Sequence, residues 1–492
     1  MLKTKNSLLR TGVSAALLIM VAGCQTPSAI DQSSEQLDLP EQYYFYQNTA
    51  VEQAEQESLL TLNYWLAELD NQTIDEMINK AIANNRQLQI RRFELAKAEQ
   101  QLIISGASDW PELSLNVAQS RSKNIINDNS SINNNAEISL DFSYELDVWG
   151  KLSDQQKQSQ LNFKIAQANY SQALADLSAE IVAGWYRLAE AQQLLELYAE
   201  RAQNLKNNLE QIKSSYRLGL NQALDVYLTQ NDVSSELARL AEQNQQVTEA
   251  SRTLQLLLGE YPSAALSSDV QLPSVQISAY AGVPSELISR RHDLNARWYS
   301  LLAADAGLAV AHKNRFPRIA LTASTGDSSD QLDNLLDGGS LAWSIIGNIS
   351  QPIFNAGRLE ALEEQALLDV KITEQQYLDD VFQAFSDIEN GVHRHQTLLS
   401  RFDHFQYARE NAVAAEKLAF DQYLKGIVDY TTVLESQRRA FDAQTQLIQL
   451  KAQLLQNQVA LALSLGGYDA EQITNERPSP GSNAVVTNSN AN

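Results

Sequence analysis

The chain contains itself twice. At a fixed shift of 207 residues, Gly150-Lys151-Leu152 matches Gly357-Arg358-Leu359, Tyr216 and Gly219 match Tyr423 and Gly426, and Val226 and Gln230 match Val433 and Gln437. The same shift pairs Leu258-Gly259 with Leu465-Gly466 and Tyr261 with Tyr468, while upstream Trp110-Pro111 pairs with Phe316-Pro317 at a shift one residue shorter. Self-similarity of this kind restricts the fold to two equivalent units in tandem. Glycines at matched spacing mark chain reversals at helix ends. Each copy therefore reads as a helix, a β-hairpin, a long helix, a tight turn and a second long helix.

Proline placement sets the helix lengths. None of the ten prolines lies between Pro111 and Pro262 or between Pro352 and Pro478, and these stretches are filled with Ala, Leu, Gln, Glu and Lys, which are strong helix formers. Leu174, Leu177, Ile181, Trp185, Leu188, Ala191 and Leu195 follow one another at spacings of three or four, the stripe of a helix packed along one side. A continuous helix from Gly150 to Gly219 would run roughly 100 Å at about 1.5 Å per residue, which implies coiled-coil packing.

The hairpins alternate with period two. Leu113, Leu115 and Val117 precede a polar, Asn-rich segment from Asn124 to Asn135, read as a loop; Ile138, Leu140, Phe142 and Tyr144 follow, separated by Glu137, Ser139, Asp141 and Ser143. Ile319, Leu321, Leu341, Trp343, Ile345 and Ile349 repeat the pattern less cleanly. Strands of about ten residues with one apolar and one polar face suit a soluble half-buried sheet, and equally a transmembrane barrel with a wet lumen. Four strands cannot close a barrel, and an open edge is not tolerated in hydrocarbon. Several copies must then share one, and three give twelve strands.

The amino terminus favours the membrane reading. Lys3, Lys5 and Arg10 precede an apolar stretch, Val13 to Ala22, too short to span a bilayer and typical of a secretory signal, residues 1–23. Val21-Ala22-Gly23-Cys24 resembles a bacterial lipobox, so Cys24, the sole cysteine, is expected to carry a covalent lipid that anchors the chain stably. Gln25 follows, where an aspartate would resemble an inner-membrane retention signal; this implies sorting to the outer membrane.

Charge and motifs exclude other classes. With 60 acidic against 37 basic residues the chain carries −23, which repels phosphate backbones and disfavours nucleic acid. One cysteine permits no internal disulfide and no Cys-rich zinc site, and His393 and His395 would point to different sides of a helix; no metal and no other cofactor is expected. No phosphate-binding loop, nucleophile elbow or metalloprotease motif is present, so catalysis is not expected, and the acidic pairs Asp379-Asp380 and Glu363-Glu364 read as solvated helix faces.

Against this background, Ser143-Tyr144-Glu145-Leu146-Asp147-Val148-Trp149-Gly150-Lys151-Leu152 is similar to the signature that enters the first long helix of the outer-membrane efflux proteins, the TolC family. Gln351-Pro352-Ile353-Phe354-Asn355-Ala356-Gly357-Arg358-Leu359 looks like its second-copy form. The resemblance covers about residues 60 to 470 and favours the lipidated, NodT-type branch that serves resistance-nodulation-division pumps. It departs at Arg291-His292-Asp293, where the family commonly has Arg-Pro-Asp. The resemblance implies a homotrimer with a twelve-stranded outer-membrane barrel and a periplasmic helical tunnel, a periplasmic adaptor and an inner-membrane pump as partners, and outer-membrane lipid around the barrel.

It also implies where function sits. The turns Arg217-Leu218-Gly219-Leu220 and Leu424-Lys425-Gly426-Ile427 are expected to meet the adaptor, and Tyr423, Asp429 and Glu435 to form the periplasmic gate. A threefold ring of carboxylates would narrow the pore and favour cations. Thr432 stands at the family's common acidic position, Asp225 occupies the corresponding place in the first copy, and Arg438 and Arg439 are candidate partners for these carboxylates.

The expected organisation is a signal peptide (1–23), a lipidated extension (24–70), a first repeat (71–262), a linker (263–282), a second repeat (283–469) and a disordered tail (470–492). The function this implies is an efflux channel for small toxic molecules. The alternatives are the exit channel of a type I protein secretion system, a periplasmic adaptor lipoprotein with one hairpin, and a structural periplasmic coiled coil. Three methionines give no support to a copper or silver route.

Overall fold

The computed structural model describes residues 72–126, 129–220, 222–266, 272–273, 290–331 and 341–466. Cys24, the signal, the lipidated extension, most of the linker and the tail lie outside the described residues.

The repeat is carried into structure with long helices of equal length. In the first copy α1 (Gln72–Asn84) and α2 (Arg86–Ala107) lead to β1 (Glu112–Ile126), β2 (Asn129–Glu145), α3 (Lys151–Arg217) and α4 (Ala223–Leu257); the second runs α5 (His292–Lys313), β3 (Arg318–Ser329), β4 (Ala342–Ser350), α6 (Arg358–Leu424) and α7 (Tyr430–Ser464). Helices α3 and α6 are both 67 residues, and α4 and α7 both 35.

The chain divides into two compact units. One, from residues 93–167 and 296–380, holds the sheet, an antiparallel meander in the order β1-β2-β3-β4. Leu113 faces Phe142, Leu115 faces Leu140, Tyr144 faces Leu321 and Ala323 faces Ile345. The strands hold 15, 17, 12 and 9 residues, so the first hairpin is longer than expected. Most of the Asn-rich segment is strand and not loop: Asn124 pairs with Ser131 and Arg121 with Asn134. Asparagine is a poor strand former, but each extra pair satisfies backbone donors and acceptors that the ladder would otherwise leave bare. Leu113, Leu115, Val117, Trp343, Ile345 and Ile349 are all exposed, so the apolar face has no cover among the described residues. Among the described residues nothing pairs with the outer edges of β1 and β4.

The signature segment welds this sheet to the helices of its unit. Lys151 and Arg318 both pair with Glu145, and the Trp149 indole donates to the Pro317 carbonyl at 2.7 Å. The Asp147 carboxylate accepts from the Leu152 and Ser153 amides, both at 2.9 Å, and so caps the start of α3. Burial raises its pKa, but those bonds and the Ser153 hydroxyl outweigh it and the net direction is down. Gly150, at φ +73°, makes the reversal. Lys313 at the end of α5 reaches the Gly150 carbonyl at 3.2 Å and Asp154 at 2.5 Å.

The other unit comprises residues 72–92, 168–295 and 381–466 among those described. Its largest core gathers Ile74 and Ile78 with Leu174, Ile181, Trp185, Leu188, Leu254 and Val459. The expected stripe is buried except at Leu195, where the adjacent Leu194 turns in instead. Equivalent packing recurs in both copies: Gly184 lies against Leu254 and Gly391 against Leu461, while Gly259 abuts Asn84 and Gly466 abuts Arg290. Asn85 donates to the Leu257 carbonyl at 2.9 Å, and Arg291, beside the His292 that opens α5, reaches the Ser464 carbonyl at 3.5 Å.

One of the buried positions at which the copies differ lies on α6. His395 of α6 is 3 % exposed and neither ring nitrogen has a hydrogen-bond partner among the described residues; the residue 207 places earlier is Leu188. Burial pushes the His395 pKa below 6.5. The unfolded chain therefore takes up the proton first, so stability is full above about pH 6.5 and falls as pH drops. His395→Leu is expected to stabilise the fold by about 1–2 kcal/mol and to flatten this dependence. Thermal unfolding at pH 7.5 and 5.0 checks it; an unchanged acid slope would contradict it.

Candidate functional site

Two turns close the long-helix pairs, and they are built alike. In the first the Gly219 amide donates to the Tyr216 carbonyl and Leu220 to Ser215, each at 2.9 Å; in the second Gly426 donates to Tyr423 and Ile427 to Gln422, again at 2.9 Å. This is the Schellman pattern, and it requires a left-handed residue, supplied by Gly219 at φ +73° and Gly426 at +71°. Around them Arg217, Leu218, Leu220, Leu424, Lys425 and Ile427 are exposed. Leu218 and Leu220 are 75 % and 74 % exposed, an apolar pair presented at the end of a largely polar hairpin.

Just inside the turns the two hairpins touch. Tyr423 of α6 donates from its hydroxyl to Oδ2 of Asp225 on α4 at 3.0 Å. Its ring packs 5.2 Å from that of Tyr430 on α7, in a small core with Ile212 and Val433. Burial, and after it the Asp225 bond, pushes the Tyr423 pKa well above the ordinary phenol range, so its hydroxyl stays protonated. Burial also raises Tyr430, to about 12.

The other expected gate residues are not partners in the Tyr423–Asp225 bond. Asp429 is exposed and stands at the N-cap of α7, though its side chain makes no capping bond. Glu435 is held by Arg438 at 3.0 Å and Arg439 at 2.8 Å, and their hydrogen bonds lower its pKa. Arg438 and Arg439 therefore serve Glu435. Thr432 donates its amide to the Asp429 carbonyl at 3.0 Å. The i+3 and i+4 spacing of the arginines made this trio legible; the Tyr423–Asp225 contact spans 198 residues, and no local pattern announces it.

The acidic pairs depart from expectation in one member each, while Glu364 and Asp379 are exposed as expected. Glu363 bonds His312 at 2.8 Å and Arg315 at 2.5 Å, and Asp380 pairs with Arg297 at 2.6 Å, so one member of each is engaged in an ion pair. Among the described residues no group of three or more His, Cys, Asp or Glu is placed to hold a metal ion, and no helix is long and apolar enough to cross a membrane.

Comparison with known proteins gives a consistent result. The family model described as "Outer membrane efflux protein" matches residues 77–260 and 283–467, one match per repeat. The probable efflux pump outer membrane protein SepC of Pseudomonas putida is 28% identical over 407 residues, covering 82% of this chain and 85% of SepC. The cation efflux system protein CusC of Escherichia coli K12 is 26% identical over 462 residues, covering 91% and 97%. Among solved structures, the Campylobacter jejuni CmeC outer membrane channel superposes with a TM-score of 0.81 at 22% identity, over 89% of this chain and 97% of CmeC. The outer-membrane channel OprN gives 0.80 at 22%, over 90% and 98%.

Proposed function

The chain belongs to the outer membrane efflux protein family, and on that premise we propose how its parts work. It is the outer-membrane channel component of a tripartite efflux pump, with its strands in the membrane and its long helices in the periplasm; its relatives are efflux channels rather than enzymes. Three copies pair β4 of one with β1 of the next, which closes twelve strands and turns the exposed apolar face toward lipid. The apolar sheet face, uncovered and with two unpaired edges among the described residues, is the observation that carries this assembly. A single hairpin, as in an adaptor, would not produce two matched turns.

The turns Arg217-Leu218-Gly219-Leu220 and Leu424-Lys425-Gly426-Ile427 receive the periplasmic adaptor, which links the channel to an inner-membrane pump that supplies the energy. The Tyr423–Asp225 bond holds the closed state, and Asp429 and Glu435 line the constriction below it. Cargo is small toxic molecules: relatives are named for toluene, solvent and cation efflux.

Native mass spectrometry of the detergent-extracted protein tests the assembly and the anchor together. The expected species is a trimer whose chains each start at Cys24 and carry covalent lipid. Cys24→Ala is expected to remove the lipid mass and to leave the trimer. A stable monomer would sink the shared barrel, and an unlipidated wild-type chain would sink the anchor.

A further inference from the structure

A second junction between the hairpins lies farther from the turns. Arg201 sits on α3, sixteen residues before its end at Arg217, which places it roughly 24 Å along the helix. Its guanidinium lies over the face of Phe441 on α7, 3.9 Å from the ring centroid. Tyr198, one turn earlier, meets the same ring edge-on at 4.9 Å. From behind, Arg201 Nε lies 3.4 Å from Oε2 of Glu236 on α4, and Arg239 approaches that oxygen at 3.6 Å.

This arrangement is poorly explained as a stabilising ion pair. The Glu236 side chain is 2 % exposed and that of Arg201 19 %, yet Arg201 Nε and Nη1 and Glu236 Oε1 have no hydrogen-bond partner among the described residues. Buried pairs with unmet donors and acceptors are weak stabilisers, and their best-attested use is to fix register or to switch. A cavity of about 70 Å³, lined by Arg201, Glu416, Gln437 and Phe441, lies beside the guanidinium. It has room for a few waters, so the junction can be wetted and parted.

The duplication sharpens the point. Residues 207 places away from Arg201, Glu236 and Phe441 are Ala408, Ala443 and Ser234, so the arrangement exists once and not twice. It is an asymmetry between hairpins of equal helix length, and it runs from one to the other.

We propose that Arg201 is a positioning residue of the gate: backed by Glu236, it grips Phe441 and so ties α7 of the α6–α7 hairpin to the α3–α4 hairpin, forming a second closing contact besides Tyr423–Asp225. The inference rests on the reading that separation of the hairpins opens the channel.

Resting conductance of the purified channel in planar bilayers tests it, with native mass confirming the trimer for each variant. Arg201→Met and Phe441→Leu are each expected to raise resting conductance about tenfold, and the double variant no further than either alone. Arg201→Lys, which keeps the charge but not the planar fork, falls between. Tyr423→Phe is the reference. If it opens while Phe441→Leu stays at wild-type conductance with the trimer intact, the Arg201 inference fails and the gate reading stands. If neither opens, the gate reading fails as well. Should Arg201→Met not assemble, Phe441→Leu decides, because it removes only the ring.

Discussion

Tyr423→Phe is expected to open the resting channel while leaving its assembly unchanged. The substitution removes one hydroxyl, keeps the ring packed 5.2 Å from Tyr430, and strips Asp225 of its donor. A hydrogen bond to a charged group contributes about 1.5–3 kcal/mol. If the three protomers open together, the low end of that range sums to about 4.5 kcal/mol, a shift of about 10³ in the ratio of closed to open channels. Resting conductance should rise accordingly, and cells carrying the variant should admit bulky solutes that the wild type excludes. Wild-type conductance from an intact trimer would remove Tyr423 from the gate.

Gly259→Ala is expected to cost about 2–5 kcal/mol and most of the assembled protein. Two terms add: a left-handed backbone, at φ +73°, costs a non-glycine residue about 1–2 kcal/mol, and overpacking adds about 1–3 kcal/mol. An added Cβ would stand 2.4 Å from the Asn84 carbonyl oxygen and 2.7 Å from its carbon, both backbone atoms that cannot swing aside. Gly219 separates the terms. It has the same φ of +73° and nothing within 4 Å of an added Cβ, so Gly219→Ala should lose only about 1–2 kcal/mol. Thermal unfolding of both variants makes the comparison; equal losses would mean that the Asn84 contact relaxes freely.

The helices were legible because their ends are written in single residues. Gly150 and Gly219 bracket an expected helix, and the observed one runs from Lys151 to Arg217 between them. Strand lengths were not, because the cue for a strand is side-chain alternation, and in Asn124 to Asn135 the backbone ladder continues where alternation stops. The site divides along the same line. Both turns, and the pairing of Glu435 with Arg438 and Arg439, follow from local spacing. The partners of Tyr423 and Arg201 depend on which helices lie together, and Asp225 and Phe441 are ordinary residues until the hairpins are placed side by side.

The matched helix lengths, 67 with 67 and 35 with 35, also restrict how such a protein can change over evolutionary time. An insertion of one heptad into a single hairpin would carry its turn about 10 Å beyond the other and break every rung between them. The same insertion made in both copies would lengthen the conduit and keep each rung. Descendants of this chain that must bridge a wider periplasm therefore have to acquire their extra length in duplicate.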